Sequence, residues 1–358
     1  MEYKYPVSKP YLNGNELEYV TKAIKDGWIS SQGPYVREFE KKFAEFNNVK
    51  YGAACSSGTA ALTIALRALA IGPGDEVIVP EFTMVASAWA VTYTGATPIF
   101  VDCKEDLTID VDKIEEKITP RTKAIMPVHI YGRQCDMDKI MDIAHNYNLR
   151  VVEDSAEAHG VKPVGDIACF SLFANKIISS GEGGICVTND ERLAKQMIHL
   201  RGMAFTPEHN FIHKKIAYNF RMTNMQAAIA LAQLEQIEDI LEKRKKIEAV
   251  YDEKLNDIKE IKRMPKRDVL WMYDILLSSP REREELQKFL ENFGIETRQF
   301  FKPMSQQAMY YNLNWKNLKA ADLGHRGIYL PTYTNLNEIE QEFIVSKIRE
   351  FYEKNDTY

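Results

Sequence analysis

From residue 51 to residue 188 the chain alternates short apolar, β-rich runs with helical runs, and this alternation limits the folds open to it. "DEVIVP" (75–80), "TPIFVD" (97–102), "TKAIMPVHI" (122–130) and "LRVVEDSA" (149–156) read as strands. "TMVASAWAVTYTG" (83–95) and "MDKIMDIAHNYN" (137–148) read as the helices between them. "DIACFSLF" and "GICVTN" add two further strands. Strands that are apolar on both faces and joined by helices predict an α/β fold with a mostly parallel sheet flanked by helices. A long helix is expected over 222–255, and beyond it "WMYDILLSS", a helix near 281–293 and "IETRQFF" predict a smaller C-terminal α+β domain. The boundary is placed near 240, giving a large domain over 1–240 and a small one over 241–358.

Composition removes several classes of function. A net charge of −5 over 358 residues gives no basic field for nucleic acid and no cationic membrane patch. No apolar run reaches the length of a bilayer span, and "MEYKYPVSKPYLNG" has no secretory apolar region, so a cytoplasmic protein is expected. The five cysteines, at 55, 103, 135, 169 and 186, form no C-x-x-C pair and read as buried free thiols. His209 and His213 have a metal-like i, i+4 spacing but no third ligand nearby, so no metal is expected.

Three stretches carry chemistry. In "CSSGTAALTIALRALAIG" (55–72), a Ser-Ser-Gly-Thr turn opens a helix that is apolar on nearly every face. The first turn of such a helix has spare N–H groups that can cradle a phosphate or carboxylate, with Gly58 allowing close approach and Thr59 or Ser57 adding a hydroxyl. The same residues also read as a plain N-cap. In "VVEDSAEAHG" (151–160), an apolar strand ends in Glu153-Asp154, where open α/β sheets bind ligands. A carboxylate facing a cation and a simple cap both fit, and His159 reads as a packed residue. In "SLFANKIISSGEGG", Lys176 has no other charge within five residues on either side. It reads either as a shielded lysine that attacks carbonyls or as one whose head reaches water. A phosphate cradle, a carboxylate and a lysine that captures an aldehyde are together what pyridoxal phosphate (PLP) requires.

Across almost its whole length the chain resembles the DegT/DnrJ/EryC1/StrS nucleotide-sugar aminotransferases, which are PLP enzymes of fold type I. The resemblance runs through "GWISSQGPYVREFEKKFAEF" (27–46), "SSGTAAL", "GDEVIVPEFT", "VEDSAEAHG", "NKIISSGEGG", "YNFRMTNMQAAIALAQLE" (218–235), "GIETRQFFKPM" and "GIYLPTY". It implies that Lys176 joins the cofactor aldehyde and shuttles protons, and that Asp154 faces the pyridine nitrogen. It further implies that Gly58, Thr59 and Ser171 hold the phosphate and that Glu157 lies near the phenolic oxygen. Asn219 is expected to reach the phosphate of a neighbouring subunit, giving a homodimer with shared active sites. Trp28, Ile29 and Ser30, with Arg298 and Tyr310, are expected to border the sugar-nucleotide pocket. L-glutamate is the implied donor, and the C4 keto group of a 4-keto-6-deoxyhexose the implied acceptor, giving a perosamine- or viosamine-type sugar. The nucleotide leans to GDP. The alternatives are a C3 aminotransferase, a PLP-dependent dehydratase (related dehydratases carry histidine where Lys176 stands) and a non-catalytic PLP-binding regulator.

Three departures from the family pattern stand out. Met84 occupies a position that is often an aromatic stacked on the cofactor ring. Ser305 occupies one that is often histidine. The segment after His159 is shorter than usual.

Overall fold

A computed structural model describes residues 3–205 and 211–355; His209 lies outside them. Seven strands form the main sheet: β1 Tyr51–Cys55, β2 Glu76–Pro80, β3 Thr97–Val101, β4 Thr122–Ile125, β5 Arg150–Asp154, β6 Ile167–Ser171 and β7 Gly184–Thr188. Their order is β1-β7-β6-β5-β4-β2-β3. Neighbours from β3 to β6 are parallel, and β7 alone runs antiparallel to both its neighbours. β2, β6 and β7 are buried along their full length. This explains why their sequences carry apolar residues at successive positions rather than at alternate ones.

Helices cover both faces. They are α1 Glu16–Lys25, α2 Pro34–Phe46, α3 Gly58–Ala68, α4 Val85–Tyr93, α5 Met137–Asn146, α6 Glu191–Arg201 and α7 Asn224–Leu234. Residues one apart on a strand go to opposite layers. On β6, Ile167 and Cys169 pack with α3 and α6, whereas Ala168 and Phe170 pack with α2 and α7. α3 is buried from Ala60 through Leu66, as a helix apolar on nearly every face must be.

The long helix expected over 222–255 is two helices, α7 and α8 Ile237–Lys254. The break falls at Glu235-Gln236, where Gln236 adopts φ −107°, ψ 4°. Both side chains turn to α1: the Tyr19 hydroxyl donates to Glu235 at 3.0 Å, and the Gln236 amide to Glu16 at 3.1 Å. Similarly, the strand expected to run to residue 130 stops at Ile125. The chain turns at Tyr131 (φ 53°) and Gly132 (φ 82°). A Cβ on Gly132 would lie 1.9 Å from the Val269 carbonyl oxygen, so only glycine fits this turn.

The remaining elements are β8 Lys262–Arg263, β9 Tyr273–Leu276, α9 Pro280–Glu291, β10 Arg298–Gln299, α10 Lys319–Arg326, β11 Gly327–Leu330 and α11 Glu338–Asn355. The four strands make an antiparallel sheet in the order β10-β11-β9-β8. Ile247 and Tyr251 of α8 share a core with this sheet, α9 and α11, whereas Ile240 of the same helix belongs to the core of the large sheet. Tyr5 also joins the smaller core; its N–H donates to the Gly294 carbonyl at 2.9 Å. No helix among the described residues is long and apolar enough to cross a membrane.

Candidate active site

The carboxyl ends of β1, β2, β4, β5 and β6 open onto one cavity of about 370 Å³. Its anion end is the start of α3. Ser57 caps that helix, its hydroxyl oxygen accepting from the Ala60 N–H at 3.1 Å. The Gly58 and Thr59 N–H groups have no acceptor among the described residues, and no acid stands in the first turn. The helix therefore presents unpaired donors and the positive end of its dipole. A Cβ on Gly58 would lie 2.9 Å from the Cβ of Ser171 at the end of β6, so glycine lets the two strand ends close around the spot.

Asp154 ends β5 and is 4% exposed. One carboxylate oxygen accepts from the Ser87 hydroxyl at 2.7 Å, the other from the Ala156 N–H at 3.1 Å. It makes no ion pair among the described residues. Burial raises its pKa, opposed by the Ser87 bond, then the Ala156 N–H, then the charge of Lys176. An acid enclosed in this way has no cation in contact with it among the described residues, and a protonated pyridine nitrogen would supply one.

The turn after β6 carries Lys176, whose side chain is 10% exposed. Two partners offset its burial: Glu157 Oε1 at 3.3 Å from Nζ, and the Trp271 indole, whose centroid is 4.4 Å away. Glu157 is held in turn by the Tyr131 N–H, donating to Oε2 at 3.0 Å. The left-handed backbone at Tyr131 aims that N–H. Burial raises the pKa of Glu157 and the charge of Lys176 opposes the rise. His159 lies off the cavity against the rings of Phe43 and Phe170. Burial first, and Lys176 second, bring its pKa down to about 3, so it is a neutral packed residue.

Met84, at the start of α4, lines the cavity with a half-exposed side chain. Arg298 lines it too, paired with Glu296 at 2.9 Å. Five other sequence candidates do not. Trp28 and Ile29 lie half-exposed on the surface, and the Trp28 and Ser30 carbonyls are bound by Asn224 at 2.7 and 2.9 Å. The Tyr310 hydroxyl meets Thr92 at 2.6 Å, and Asn219 accepts from Arg221 at 2.9 Å. Ser305 is buried away from the cavity, with its N–H and hydroxyl donating to Glu81 at 2.9 and 3.0 Å.

Two residues at the site carry no local mark in the sequence. Ser87 stands in a run of small residues on α4; its only signal is a position three residues after Met84, on the same helix face. Trp271 comes from the segment just before β9, 95 residues after Lys176, and packs in the core of the large sheet.

Taken together, unpaired N–H groups at a helix start, an enclosed acid with no ion-pair partner among the described residues and a lysine on the same cavity fit PLP.

Comparison with known proteins gives a consistent picture. The sequence model of the DegT/DnrJ/EryC1/StrS aminotransferase family matches residues 10–349. The chain is 46% identical to the GDP-perosamine synthase of Escherichia coli O157:H7, over 97% of this chain and 98% of that one. It is 44% identical to the GDP-perosamine synthase of Caulobacter vibrioides, over 96% of each. A putative sugar aminotransferase from Streptococcus pneumoniae, solved in its PMP-form, superposes with a TM-score of 0.92 at 29% identity, covering 99% of both chains.

Proposed function

The chain belongs to the DegT/DnrJ/EryC1/StrS aminotransferase family, and from that membership we propose that it transfers an amino group from L-glutamate to the C4 keto group of a GDP-linked 4-keto-6-deoxyhexose, giving a perosamine-type sugar. It is a PLP-dependent sugar aminotransferase. The near-full-length identity to two enzymes named GDP-perosamine synthase carries the choice of sugar and nucleotide.

PLP supplies an aldehyde that captures amines and a ring that withdraws electrons from the carbon attached to the captured nitrogen. The residues of the chain direct that chemistry. Gly58 and Thr59 bind the phosphate through their N–H groups, with the hydroxyls of Thr59 and Ser171 beside them. Asp154 holds the proton on the ring nitrogen. Ser87 and the Ala156 N–H fix the Asp154 carboxylate, so little reorganisation is needed as charge develops. Glu157, 3.3 Å from Nζ, would orient the Lys176 amine in the cavity. Lys176 Nζ takes the α-proton from the donor and returns it one position away, then works in the opposite direction on the sugar. Val128, Ile130 and Phe301 give that side of the cavity an apolar wall that excludes water.

The working unit in this reading is a cytoplasmic homodimer in which Asn219 reaches the phosphate in the neighbouring site. Trp28, Ile29 and Ser30 then border the sugar nucleotide from the subunit boundary. Arg298 reaches it from the cavity wall, and Tyr310 from beside Thr92 of α4. The exposed apolar side chains of Trp28 and Ile29 support such a boundary.

The test is incubation with glutamate and a panel of 4-keto and 3-keto nucleotide sugars, with products identified by mass and NMR. A 4-amino sugar, formed mole for mole with 2-oxoglutarate and best with the GDP substrate, is expected. A 3-amino product, or ammonia release without amino transfer, would overturn the reading.

A smaller effect is expected for Ser87→Ala. The Ser87 bond holds the Asp154 pKa down against burial, so its loss lets that pKa rise. Asp154 must be ionised to work. The acid limb of kcat therefore moves to higher pH, with a loss of about tenfold at low pH that narrows as pH rises. A kcat–pH profile measures it.

A further inference from the structure

Strands β10 and β11 bring two hydrogen-bond donors to one patch of the cavity wall. Arg298 and Tyr329 stand directly opposite each other in the antiparallel register, so their side chains leave the sheet on the same face, and both line the cavity. Tyr329 is 6% exposed, and its ring packs against those of Tyr131 and Trp271, with centroids 5.7 and 6.1 Å away. A tyrosine hydroxyl buried to this degree usually finds a partner. This one has no hydrogen-bond partner among the described residues. Burial first, and the charge of Glu157 second, push its pKa up to about 12, so it faces the cavity as a neutral donor.

Arg298 is held from one side. Its Nε donates to Glu296 Oε1 at 2.9 Å, and the other oxygen of Glu296 accepts from the Val7 N–H at 2.8 Å. Nη1 has no acceptor among the described residues. A guanidinium only donates. Two donors on neighbouring strands, with no acceptor between them, suit a ligand with two acceptor oxygens, such as a carboxylate.

Apart from the cofactor, the proposed reaction brings three anionic groups to this cavity: the two carboxylates of glutamate and the diphosphate of the sugar nucleotide. The diphosphate is attached at C1 of the hexose, across the ring from the C4 that reacts, so it stays a sugar ring away from Lys176. The α-carboxylate is one bond from the carbon that gives up its proton, so it must lie beside Nζ. Tyr329 fits neither position. It is too enclosed for the rim, and Trp271 stands between it and the amine, with Nζ 4.4 Å from the centre of the indole. The group that fits is the second carboxylate of the donor, three bonds from the reacting carbon. We propose that Arg298 and Tyr329 form the subsite for the side-chain carboxylate of the amino donor and so select a dicarboxylic amino acid over its amide. The inference rests on the donor half of the function proposed above and deepens it by naming what recognises the donor. Arg298 serves both halves in turn, because the sugar nucleotide enters after 2-oxoglutarate has left. Glutamine puts an NH₂ where this patch needs an acceptor, and a site left with unpaired donors rejects it.

The test follows cofactor absorbance as full-length holoenzyme is mixed with L-glutamate or L-glutamine, and separately as its amine form is mixed with the GDP-linked 4-keto sugar. Tyr329→Phe removes an oxygen that has no partner within the described residues, so the fold loses no hydrogen bond there. It is expected to lower kcat/KM for glutamate about tenfold, the worth of one hydrogen bond to a charged oxygen. The loss falls mainly on KM, while the rates with glutamine and with the keto sugar stay within about twofold. Arg298→Gln is expected to lower the preference for glutamate over glutamine at least as far, and also to slow the sugar half. An unchanged rate with glutamate in Tyr329→Phe, equal losses with glutamate and glutamine, or a loss confined to the keto sugar would each overturn this subsite and leave the proposed reaction standing. A wild-type enzyme that glutamate does not convert to the amine form would overturn the donor itself, and this inference with it.

Discussion

Lys176→Ala is expected to lower amino transfer by about 10⁴-fold or more while the protein still binds PLP. Two losses add up. The variant has no amine to hold the aldehyde, and no base over the reacting carbons. No neighbour can substitute. Arg298, on the cavity wall, carries a guanidinium, a group with no free lone pair to accept a proton. His159 is neutral but packed between Phe43 and Phe170, off the cavity. Glu157 loses its one cationic partner among the described residues, and burial, which already raises its pKa, then acts unopposed by Lys176. Glu157 is therefore expected to take up a proton in the variant rather than serve as a base. Stopped-flow absorbance with glutamate should show binding without conversion to the amine form. Added methylamine should restore part of the rate, because a small amine fits the space the side chain leaves. Turnover within about tenfold of wild type, without added amine, would refute the role assigned to the lysine.

The sequence and the structure agree best where one residue type meets one backbone requirement. Lys176 was conspicuous because burial without a neighbouring charge is costly, and Asp154 because an acid at the end of an apolar strand needs a reason to be there. Gly58 was legible because helix α3 is apolar nearly all round and must be buried, which forces its start against the strand ends. What supports these residues was not legible. Ser87 reaches Asp154 across 67 positions of sequence, and Trp271 reaches Lys176 from 95 positions further along the chain. Neither pairing leaves a periodicity or spacing to find.

The same limit applies to the fold. The parallel strands followed from apolar runs, but the break at Glu235-Gln236 depends on hydrogen bonds to α1, some 200 residues earlier in the chain. The early end of β4 depends on the approach of Val269 to Gly132. Local propensity decides where an element can form; distant partners decide where it stops.

Asp154→Asn is expected to reduce kcat by about 10³-fold and, in the cofactor-free protein, to raise stability. The two effects share one cause. Asparagine has the size of aspartate, so the Ala156 N–H keeps its acceptor and the Ser87 hydroxyl can rotate to accept from the amide. The charge is lost, and with it the group that keeps a proton on the cofactor ring. The sign of the stability effect follows from the pKa. Burial raises the Asp154 pKa in the folded protein, so folding disfavours its ionised form. That cost is absent below the unfolded carboxylate value of about 4. It grows as pH rises through the window between the unfolded and folded values, and is complete above the folded value. Asparagine never carries it. The cofactor-free variant should therefore melt about 2 °C above cofactor-free wild type at pH 7, with the difference vanishing in acid. With PLP present the order reverses, because binding the cofactor rewards the ionised acid and not the amide. Calorimetry at pH 4 and pH 7, with and without PLP, reads all four states. A variant less stable than wild type without cofactor at pH 7 would mean that Asp154 has a countercharge within the chain, and would remove the argument that this acid is kept for a cation brought in from outside.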